Sequence, residues 1–236
     1  MPPYLELKDI SKSFSGVRAL RGVNLRLEQG EIRCLVGENG SGKSTLIKLV
    51  AGVIRPDSGS VLIDGEGHSF LRPRLSIAKG IQVIYQDFSL FPNLTVAENV
   101  ALNTLVASSR RTIIRGEMNE IARKAMERLQ VRLDPDALVE ELPVASKQLV
   151  AIARAVVGEP PLLLADEPTG NLDSTSGASI VELLHELHSQ GTTIIVITHD
   201  NELAAQLPRQ IAIRDGRIVG DSSQKEIVHD DVYAPA

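Results

Sequence analysis

A glycine-rich run near the N-terminus places groups where a phosphate chain could be held. The run is Gly37-Glu38-Asn39-Gly40-Ser41-Gly42-Lys43-Ser44-Thr45, which fits the spacing Gly, any four residues, Gly-Lys-Ser/Thr. Glycines let several backbone N–H groups point at one phosphate chain, and a following helix adds partial positive charge. Lys43 can reach the β- and γ-phosphates, and the Ser44 hydroxyl can ligate Mg²⁺. The run therefore predicts a phosphate-binding P-loop rather than a plain Gly/Ser turn before a helix.

A second set of polar residues follows strand-like segments further along the chain. These residues are Gln86, Asp166, Glu167 and His199, which follow the segments 80–85, 162–165 and 192–198. An acid at Asp166 can orient Mg²⁺ through its water shell, and Glu167 can polarise an attacking water. His199 can donate a hydrogen bond to the γ-phosphate, and the Gln86 amide can ligate Mg²⁺ or hold the water. Since α/β proteins bind ligands at the carboxyl ends of strands, we predict a triphosphate-hydrolysing site.

The elements that must position these groups can be predicted from apolar spacing. Alternation at Val23, Leu25 and Leu27 predicts a half-buried strand. Further strands are expected at 32–36, 60–63, 80–85, 162–165 and 192–198, with a hairpin over 211–219. Helices are expected at 44–50, 96–105, 116–129, 148–157 and 174–188. The pattern predicts an α/β fold: a P-loop NTPase core with an N-terminal antiparallel β subdomain and an inserted α-helical lobe.

This organisation predicts a single domain over residues 1–220. Its core lobe covers 1–86 and 159–220, its helical lobe covers 87–158, and a polar tail covers 221–236. The chain has 236 residues, of which 43% are hydrophobic, enough for a substantial core. The net charge of −5 offers no basic field, so we expect no nucleic-acid partner.

Cysteine usage and hydropathy point to a cytoplasmic protein. Cys34 is the one cysteine, so no disulfide can form within the chain, which suits a reducing compartment. The N-terminus lacks the features of a signal peptide, and the chain has no run of 18 apolar residues. We therefore expect that any work at a membrane is done from its inner face, through a partner.

Taken in order, these motifs resemble the ATP-binding cassette of ABC transporters, from Leu5 to about Gly220. The resemblance implies that Gly37–Thr45 is the Walker A motif, Leu162–Asp166 the Walker B motif, Glu167 the catalytic glutamate, Gln86 the Q-loop glutamine, Asn171-Leu172-Asp173 the D-loop and His199 the switch histidine. It also implies that Phe14, with Val17 nearby, contacts adenine, although the family more often has Tyr at the position of Phe14. The implied cofactors are ATP and Mg²⁺, the latter held by Ser44, Gln86 and Asp166.

The resemblance further implies partners. Two cassettes, identical or different, sandwich two ATP molecules head to tail and drive attached transmembrane permease subunits. A substrate-binding protein is a further expected partner for an importer. The cassette would then be peripheral on the inner face of the membrane.

One motif departs from the family. The signature Leu-Ser-Gly-Gly-Gln, which in the family contacts the γ-phosphate held by the opposite cassette, aligns with Leu142-Pro143-Val144-Ala145-Ser146. Pro143 has neither a hydroxyl nor an N–H, and Val144 and Ala145 add Cβ atoms where backbone should approach phosphate. Losing two charge-assisted hydrogen bonds would cost about 3 kcal/mol. We hypothesise that this signature closes the opposite site poorly, and that Ser146 caps the following helix.

Two classes of cassette share features with this chain. The first two-thirds resembles simple-sugar importers of the ribose/galactose class, which usually carry two fused cassettes. The last third, including Ala165–Asp173 and Ile213–Val219, resembles lipoprotein- and macrolide-exporter cassettes, as in a natural mosaic or a fusion. The leading interpretation is the ATP-hydrolysing subunit of a simple-sugar importer. The alternatives are an exporter cassette, or a slow or non-hydrolytic ATP-gated module that needs a heterologous cassette. A third alternative is a soluble ABC ATPase of DNA repair or translation. The sequence does not favour it, because it shows neither the long coiled-coil insertion of repair members nor the second cassette and charged linker of translation members.

Overall fold

The computed structural model describes residues 2–107 and 114–222 and divides them into two compact units. The first unit contains residues up to Lys79 and from Ile195 onward, and the second contains Gly80–Ile194. Most of the predicted tail lies outside the described residues. The predicted core and helical lobes have boundaries at 86/87 and 158/159, whereas the compact units have boundaries at 79/80 and 194/195. The division into lobes therefore stays a prediction.

The first unit contains an antiparallel sheet built from the N-terminal strands. Its strands are β1 (Leu5–Phe14), β2 (Val17–Leu27), β4 (Ser58–Ile63) and β5 (Glu66–His68), in the order β2-β1-β4-β5. Ser15 and Gly16 form the tight turn between β1 and β2 with φ angles of 45° and 89°, as two-residue hairpins require. Alternate residues of the strands are buried, as predicted at Val23, Leu25 and Leu27. The predicted antiparallel β subdomain is confirmed.

The first unit also contains strands that carry the P-loop and the switch histidine. β10 (Arg217–Asp221), β9 (Gln210–Arg214), β3 (Ile32–Val36) and β8 (Thr193–Thr198) are neighbours in that order, and β8 begins in the second unit. β3 is parallel to β9, and β9 forms the predicted hairpin with β10. The helices are α1 (Lys43–Val50), α2 (Pro73–Ala78) and α7 (Asn201–Ala205). Asp221, which we assigned to the polar tail, is instead the last residue of β10.

The second unit contains most of the helices. Its elements are β6 (Ile81–Ile84), α3 (Val96–Ala107), α4 (Arg115–Arg128), a 3-10 turn (Val139–Glu141), α5 (Val144–Val156), β7 (Leu162–Asp166) and α6 (Ser174–Ser189). β6 and β7 are parallel, and every residue of β7 is buried, as its unbroken apolar sequence predicted. Across the described ranges, no helix is both long and apolar enough to cross a membrane.

One predicted boundary is wrong in a way that affects the site. We expected a helix from residue 148, whereas α5 already begins at Val144. Pro143 occupies the N-cap position, and its carbonyl accepts a hydrogen bond from the Lys147 N–H at 3.0 Å. A proline fits this end of a helix because its missing N–H would have no intrahelical partner there. Ser146 therefore lies inside the first turn and does not cap the helix.

Candidate functional site

The P-loop links β3 to α1 in a conformation that depends on glycine at two positions. Gly42 has a φ of +110°, and a Cβ atom added there would lie 2.6 Å from the Ala19 carbonyl oxygen. A Cβ atom on Gly37 would collide with the Ile213 carbonyl oxygen of β9. Both contacts are with backbone and cannot be relieved by a side-chain movement. Gly37 and Gly42 are thus required by close packing of the loop against β9 and β2.

Lys43 and Ser41 present polar groups within this loop. The Lys43 side chain is 5% exposed, and its Nζ donates hydrogen bonds to the carbonyls of Gly37 at 2.5 Å and Glu38 at 3.0 Å. Within residues 2–107 and 114–222, the buried Ser41 Oγ has no hydrogen-bond partner. A buried hydroxyl without a partner is costly, and a phosphate oxygen in the loop would satisfy it. Of the remaining motif residues, Asn39, Gly40 and Ser44 are exposed and Thr45 is half-buried.

The predicted adenine contacts lie on either side of the β1–β2 turn. Phe14 and Val17 are paired across the turn and are 45% and 69% exposed. The Lys12 Nζ lies 5.4 Å from the centre of the Phe14 ring, within the range of a cation–π interaction. An exposed aromatic ring of this kind can stack on a planar base.

His199 directly follows β8, the neighbour of β3. The residue is exposed, whereas the preceding Thr198 is fully buried. The chain turns immediately afterwards, because the Asp200 carboxylate accepts hydrogen bonds from the N–H groups of Glu202 and Leu203 and so caps α7. This arrangement presents the imidazole to solvent at the end of a buried strand.

Within the second unit, the pairing of β6 with β7 brings Gln86 and Glu167 to one edge. Ile84 lies opposite Ala165, so each of the two functional residues follows the pair by two positions. A Cβ atom on Gly170 would lie 3.7 Å from the Gln86 Nε2 and 3.5 Å from the Glu167 Cβ. Asp166 is buried at the end of β7, and Glu167 has the unusual φ of +47°. The strand register thus assembles an amide and two carboxylates.

Two side chains hold the loop after β6 through contacts that the sequence analysis did not predict. The Asn171 Nδ2 donates a hydrogen bond to the Gln86 carbonyl at 2.9 Å. Arg154 donates to the carbonyls of Ser89 at 2.7 Å and Phe88 at 3.0 Å. Phe88 and Ser89 both have positive φ, at 61° and 48°, so these contacts stabilise an unfavourable backbone. An arginine on the otherwise buried apolar face of α5 was the sequence signal for this role.

Burial and nearby charges act in opposite directions on the guanidinium that holds this loop. Burial lowers the pKa of Arg154, while the charge of Asp87 acts in the opposite direction. Burial raises the pKa of the neighbouring Tyr85, and the charges of Asp166 and Asp87 add to this effect. The Tyr85 phenol therefore stays neutral beside the two carboxylates.

Asp173 of the predicted D-loop has a local structural contact. Its carboxylate accepts hydrogen bonds from the backbone N–H groups of Thr175 and Ser176, at 3.1 Å and 3.0 Å, and caps α6. The Ser176 hydroxyl donates a third hydrogen bond at 2.8 Å. The hydrogen bonds from Ser176 hold the pKa of Asp173 below its ordinary value.

The signature residues Pro143, Val144, Ala145 and Ser146 form the beginning of α5. Pro143 and Val144 are exposed, and Ala145 and Ser146 are half-buried. The helix has no side-chain hydrogen bond at its N-cap. Since the first N–H groups of a helix have no intrahelical partner, Val144, Ala145 and Ser146 still offer backbone donors. The motif keeps these donors although it has lost the serine hydroxyl and both glycines.

The predicted residues thus form two groups. The P-loop, Phe14, Val17 and His199 belong to the first unit, and the amide, carboxylate, D-loop and signature groups belong to the second. The first group is built to hold phosphate and the second contains acid and amide groups suited to cation binding and water activation. A P-loop between a strand and a helix, together with acidic residues at the end of a buried parallel strand, is typical of a P-loop nucleotide-binding protein.

Comparison with known proteins identifies the family. The model of the ABC transporter family matches residues 20–170. The chain therefore belongs to the ABC transporter family, and its fold is that of the ATP-binding cassette.

Similar proteins have been named as importer subunits. A ribose import ATP-binding protein of Rhodococcus jostii is 40% identical over 231 residues, covering 98% of this chain and 46% of the relative. That of Rhodopirellula baltica is 41% identical over 226 residues, covering 95% and 44%. The chain thus spans less than half the length of these relatives.

Solved cassette structures share the fold. A dimeric post-hydrolysis state of the ATP-binding cassette MJ0796 with ADP and Pi has a TM-score of 0.81 and 32% identity, covering 92% of this chain and 97% of that one. The structure of cbiO1 from Clostridium perfringens, part of the ABC transporter complex cbiONQ, has a TM-score of 0.80 and 28% identity, covering 94% of this chain and 88% of that one.

Proposed function

We propose that the chain binds ATP through its P-loop and hydrolyses it. The observation that carries this proposal is the Lys43 ammonium, which donates to the carbonyls of Gly37 and Glu38 in a loop where Gly37 and Gly42 admit no Cβ atom. An anionic phosphate chain would attract the ammonium by its charge and accept hydrogen bonds from it. The Ser41 hydroxyl would gain a partner at the same time.

The proposed cofactor is Mg²⁺, held by Ser44, Gln86 and Asp166. A hydroxyl, an amide carbonyl and a carboxylate are all oxygen ligands, which this hard cation prefers. When bound, the ion would neutralise charge on the phosphate oxygens. The observation that supports this assignment is the β6–β7 register, which brings Gln86 next to the carboxylates that end β7.

For hydrolysis, we assign water activation to Glu167 and γ-phosphate contact to His199. Glu167 is half-buried beside Gly170 and Gln86, so its carboxylate is partly shielded from solvent. A carboxylate at this position can accept a proton from an attacking water. His199 is exposed at its strand end, and its ring N–H is assigned as the donor to the γ-phosphate.

We further propose that this ATPase works as a subunit of a simple-sugar importer. The ribose import proteins match 98% of the chain, so the similarity extends through the last third that also resembles exporter cassettes. The proposed partners are a second cassette, which the dimeric MJ0796 structures support, transmembrane permease subunits and a substrate-binding protein. The cassette would then act from the cytoplasmic face of the membrane.

A slow ATP-gated module is the second candidate, and the start of α5 favours it. Val144 is 45% exposed at the position where the family has a glycine, and Pro143 contributes no donor. If this surface closes poorly on ATP of the opposite cassette, turnover requires a partner cassette with an intact signature.

Steady-state ATPase of the purified chain with Mg²⁺, over a series of protein concentrations, separates these candidates. We expect a rate per molecule that rises with concentration, and that is lost in Glu167→Gln but kept in Glu182→Gln, an exposed residue of α6. ATP binding without turnover at any concentration would support the gated module. Absence of ATP binding would contradict both.

The importer assignment can be tested in cells of the source organism. Deletion of the gene should abolish uptake of radiolabelled ribose, and the Glu167→Gln gene should fail to restore it. Unchanged ribose uptake after deletion would contradict ribose as the substrate. Slower loss of a preloaded compound would favour the exporter alternative instead.

A further inference from the structure

A cleft in the first unit is lined by none of the residues assigned to the nucleotide. Its volume is about 840 Å³, and it is lined by residues of β1, β2, β3, β9 and β10 together with Arg209. None of the P-loop residues, Phe14, Val17 or His199 lines it. Small-molecule sites typically have volumes of about 300–1,000 Å³. The cleft is therefore of a size that suits a small molecule.

Basic side chains outnumber acidic ones in the lining of the cleft, in a protein that is acidic as a whole. Its basic side chains are Lys8, Arg21, Arg26, Arg33, Arg209 and Arg217. Three carboxylates, of Glu6, Asp9 and Asp221, also line it. The excess of cations contrasts with the net charge of −5 for the chain. Such a concentration of positive charge creates a local field that attracts anions.

The available carboxylates are already engaged by some of these cations. Arg209 donates two hydrogen bonds to Asp221, at 2.9 Å and 2.8 Å, and one to Glu31 at 3.2 Å. In the part of the chain that the structure describes, neither Arg21 nor Arg217 has an acidic side chain as partner. The Arg21 N–H donates to the Gly216 carbonyl at 2.8 Å, which places the two arginines next to each other at one end of the cleft.

The floor of the cleft contains a buried guanidinium that is incompletely satisfied. Arg33 on β3 is 2% exposed and pairs with Glu31 and the Arg26 carbonyl. Among the described residues, its Nε has no hydrogen-bond partner. Burial lowers the pKa of Arg33, and the charge of Glu31 offsets part of this effect. A buried charge with an unused donor is costly, and an anion in the cleft would reduce that cost.

We propose that this cleft binds a small phosphate-bearing anion, with Arg33 in its floor and Arg21 and Arg217 at its rim. A guanidinium group binds phosphate through paired N–H groups. The three guanidinium groups together suit a ligand that offers several phosphate oxygens as acceptors. The phosphate can belong to a soluble metabolite or to a lipid headgroup. The site is separate from the one proposed for ATP and does not depend on hydrolysis.

Calorimetric titration with inorganic pyrophosphate tests the proposal on the full chain carrying Lys43→Ala, which disables phosphate binding by the P-loop. We expect this protein to bind pyrophosphate. Adding Arg21→Ala and Arg217→Ala should weaken binding by at least about tenfold, since each arginine–phosphate hydrogen bond is a charge-assisted one. The matched control Arg214→Ala changes an exposed arginine of the same hairpin that does not line the cleft.

Both exchanged arginines are exposed, so the variants should keep the thermal unfolding temperature of their parent. Failure of the Lys43→Ala protein to bind pyrophosphate, or equal binding with and without the two arginines, would overturn the proposal. Either failure would leave the ATPase proposal untouched, because Lys43 is absent from the tested protein.

Sedimentation with vesicles of phosphatidylcholine containing phosphatidic acid then identifies the source of the phosphate. Vesicle binding that requires Arg21 and Arg217 assigns the cleft to a lipid headgroup. Pyrophosphate binding without vesicle binding assigns it to a soluble phosphate compound.

Discussion

The helices α1 and α5 both begin without a side-chain cap, yet their surroundings differ. Around α1, Gly42 packs against the Ala19 carbonyl and Lys43 is almost completely buried. At α5, the proline at the N-cap and Val144 are exposed. In contrast to both, α6 and α7 begin with aspartate caps.

This difference explains why one motif keeps the family pattern and the other departs from it. In the P-loop, a Cβ atom at Gly37 or Gly42 would collide with backbone of the same unit, so the fold itself requires glycine. At the start of α5, the fold accepts Pro143 and Val144 without steric conflict. Only an external requirement, contact with a partner cassette, would demand serine and glycine there. The signature is therefore free to vary when that contact is weakened.

The largest expected effect comes from Gly42→Ala. A residue with a Cβ in left-handed backbone costs about 1–2 kcal/mol, and contact with the Ala19 carbonyl adds to this. We expect ATP affinity to fall by about 100-fold or more, measured with a fluorescent ATP analogue. Gly40→Ala is the matched control, since Gly40 also has positive φ but no atom lies within 4 Å of an added Cβ. Equal losses in both variants would show that the collision is unimportant.

In α5, the substitution Arg154→Lys should lower the kcat of ATP hydrolysis with little effect on ATP affinity. Lysine keeps the charge but cannot donate in fixed directions to the carbonyls of both Phe88 and Ser89. Losing one hydrogen bond from a charged group, worth about 1.5–3 kcal/mol, would lower kcat by about 10- to 100-fold if it displaces Gln86. The control Arg123→Lys changes an exposed arginine of α4. An unchanged kcat with intact ATP binding would remove Arg154 from the positioning of Gln86.

The sequence predicted the parts of the site that depend on local spacing. The P-loop, the polar residues at the strand ends and the β9–β10 hairpin all follow from short patterns of glycine, apolar residues and turn residues. The contacts of Arg154 and Asn171 could not be predicted, because they join residues that are 65 and 85 positions apart. The start of α5 was missed because Pro143 was treated as a loop residue, although a proline is also favoured at the beginning of a helix.

The double variant Pro143→Ser and Val144→Gly should raise ATPase activity about tenfold, in line with one new hydrogen bond to a charged group. The expected gain corresponds to one hydrogen bond, whereas the sequence analysis assumed that two were lost. The difference arises because the backbone N–H donors at the start of α5 remain. Val144→Ala is the control that removes bulk without adding a hydroxyl or flexibility. No gain in either the ATPase rate or ATP-driven dimerisation would show that the altered signature does not limit turnover.

The smallest expected effect concerns the start of α6, which is capped by Asp173, unlike the starts of α1 and α5. Hydrogen bonds from Ser176 lower the pKa of Asp173, so this carboxylate contributes stability above its unfolded pKa. That contribution is lost as the pH falls through the lower folded pKa. Asp173→Asn keeps a side-chain oxygen for the cap but removes the charge.

Thermal unfolding of Asp173→Asn and the parent should therefore differ slightly at pH 7 and converge as the pH falls below about 3.9, the ordinary pKa of Asp. Asp173 is exposed, so screening by salt should reduce the difference further. A difference that persists unchanged at acid pH would mean that the amide alters the cap geometry rather than its charge. In that case the stability of the start of α6 would depend on where the acceptor oxygen of residue 173 lies. The start of α1 depends in a similar way on geometry, through the close packing of the Gly42 backbone.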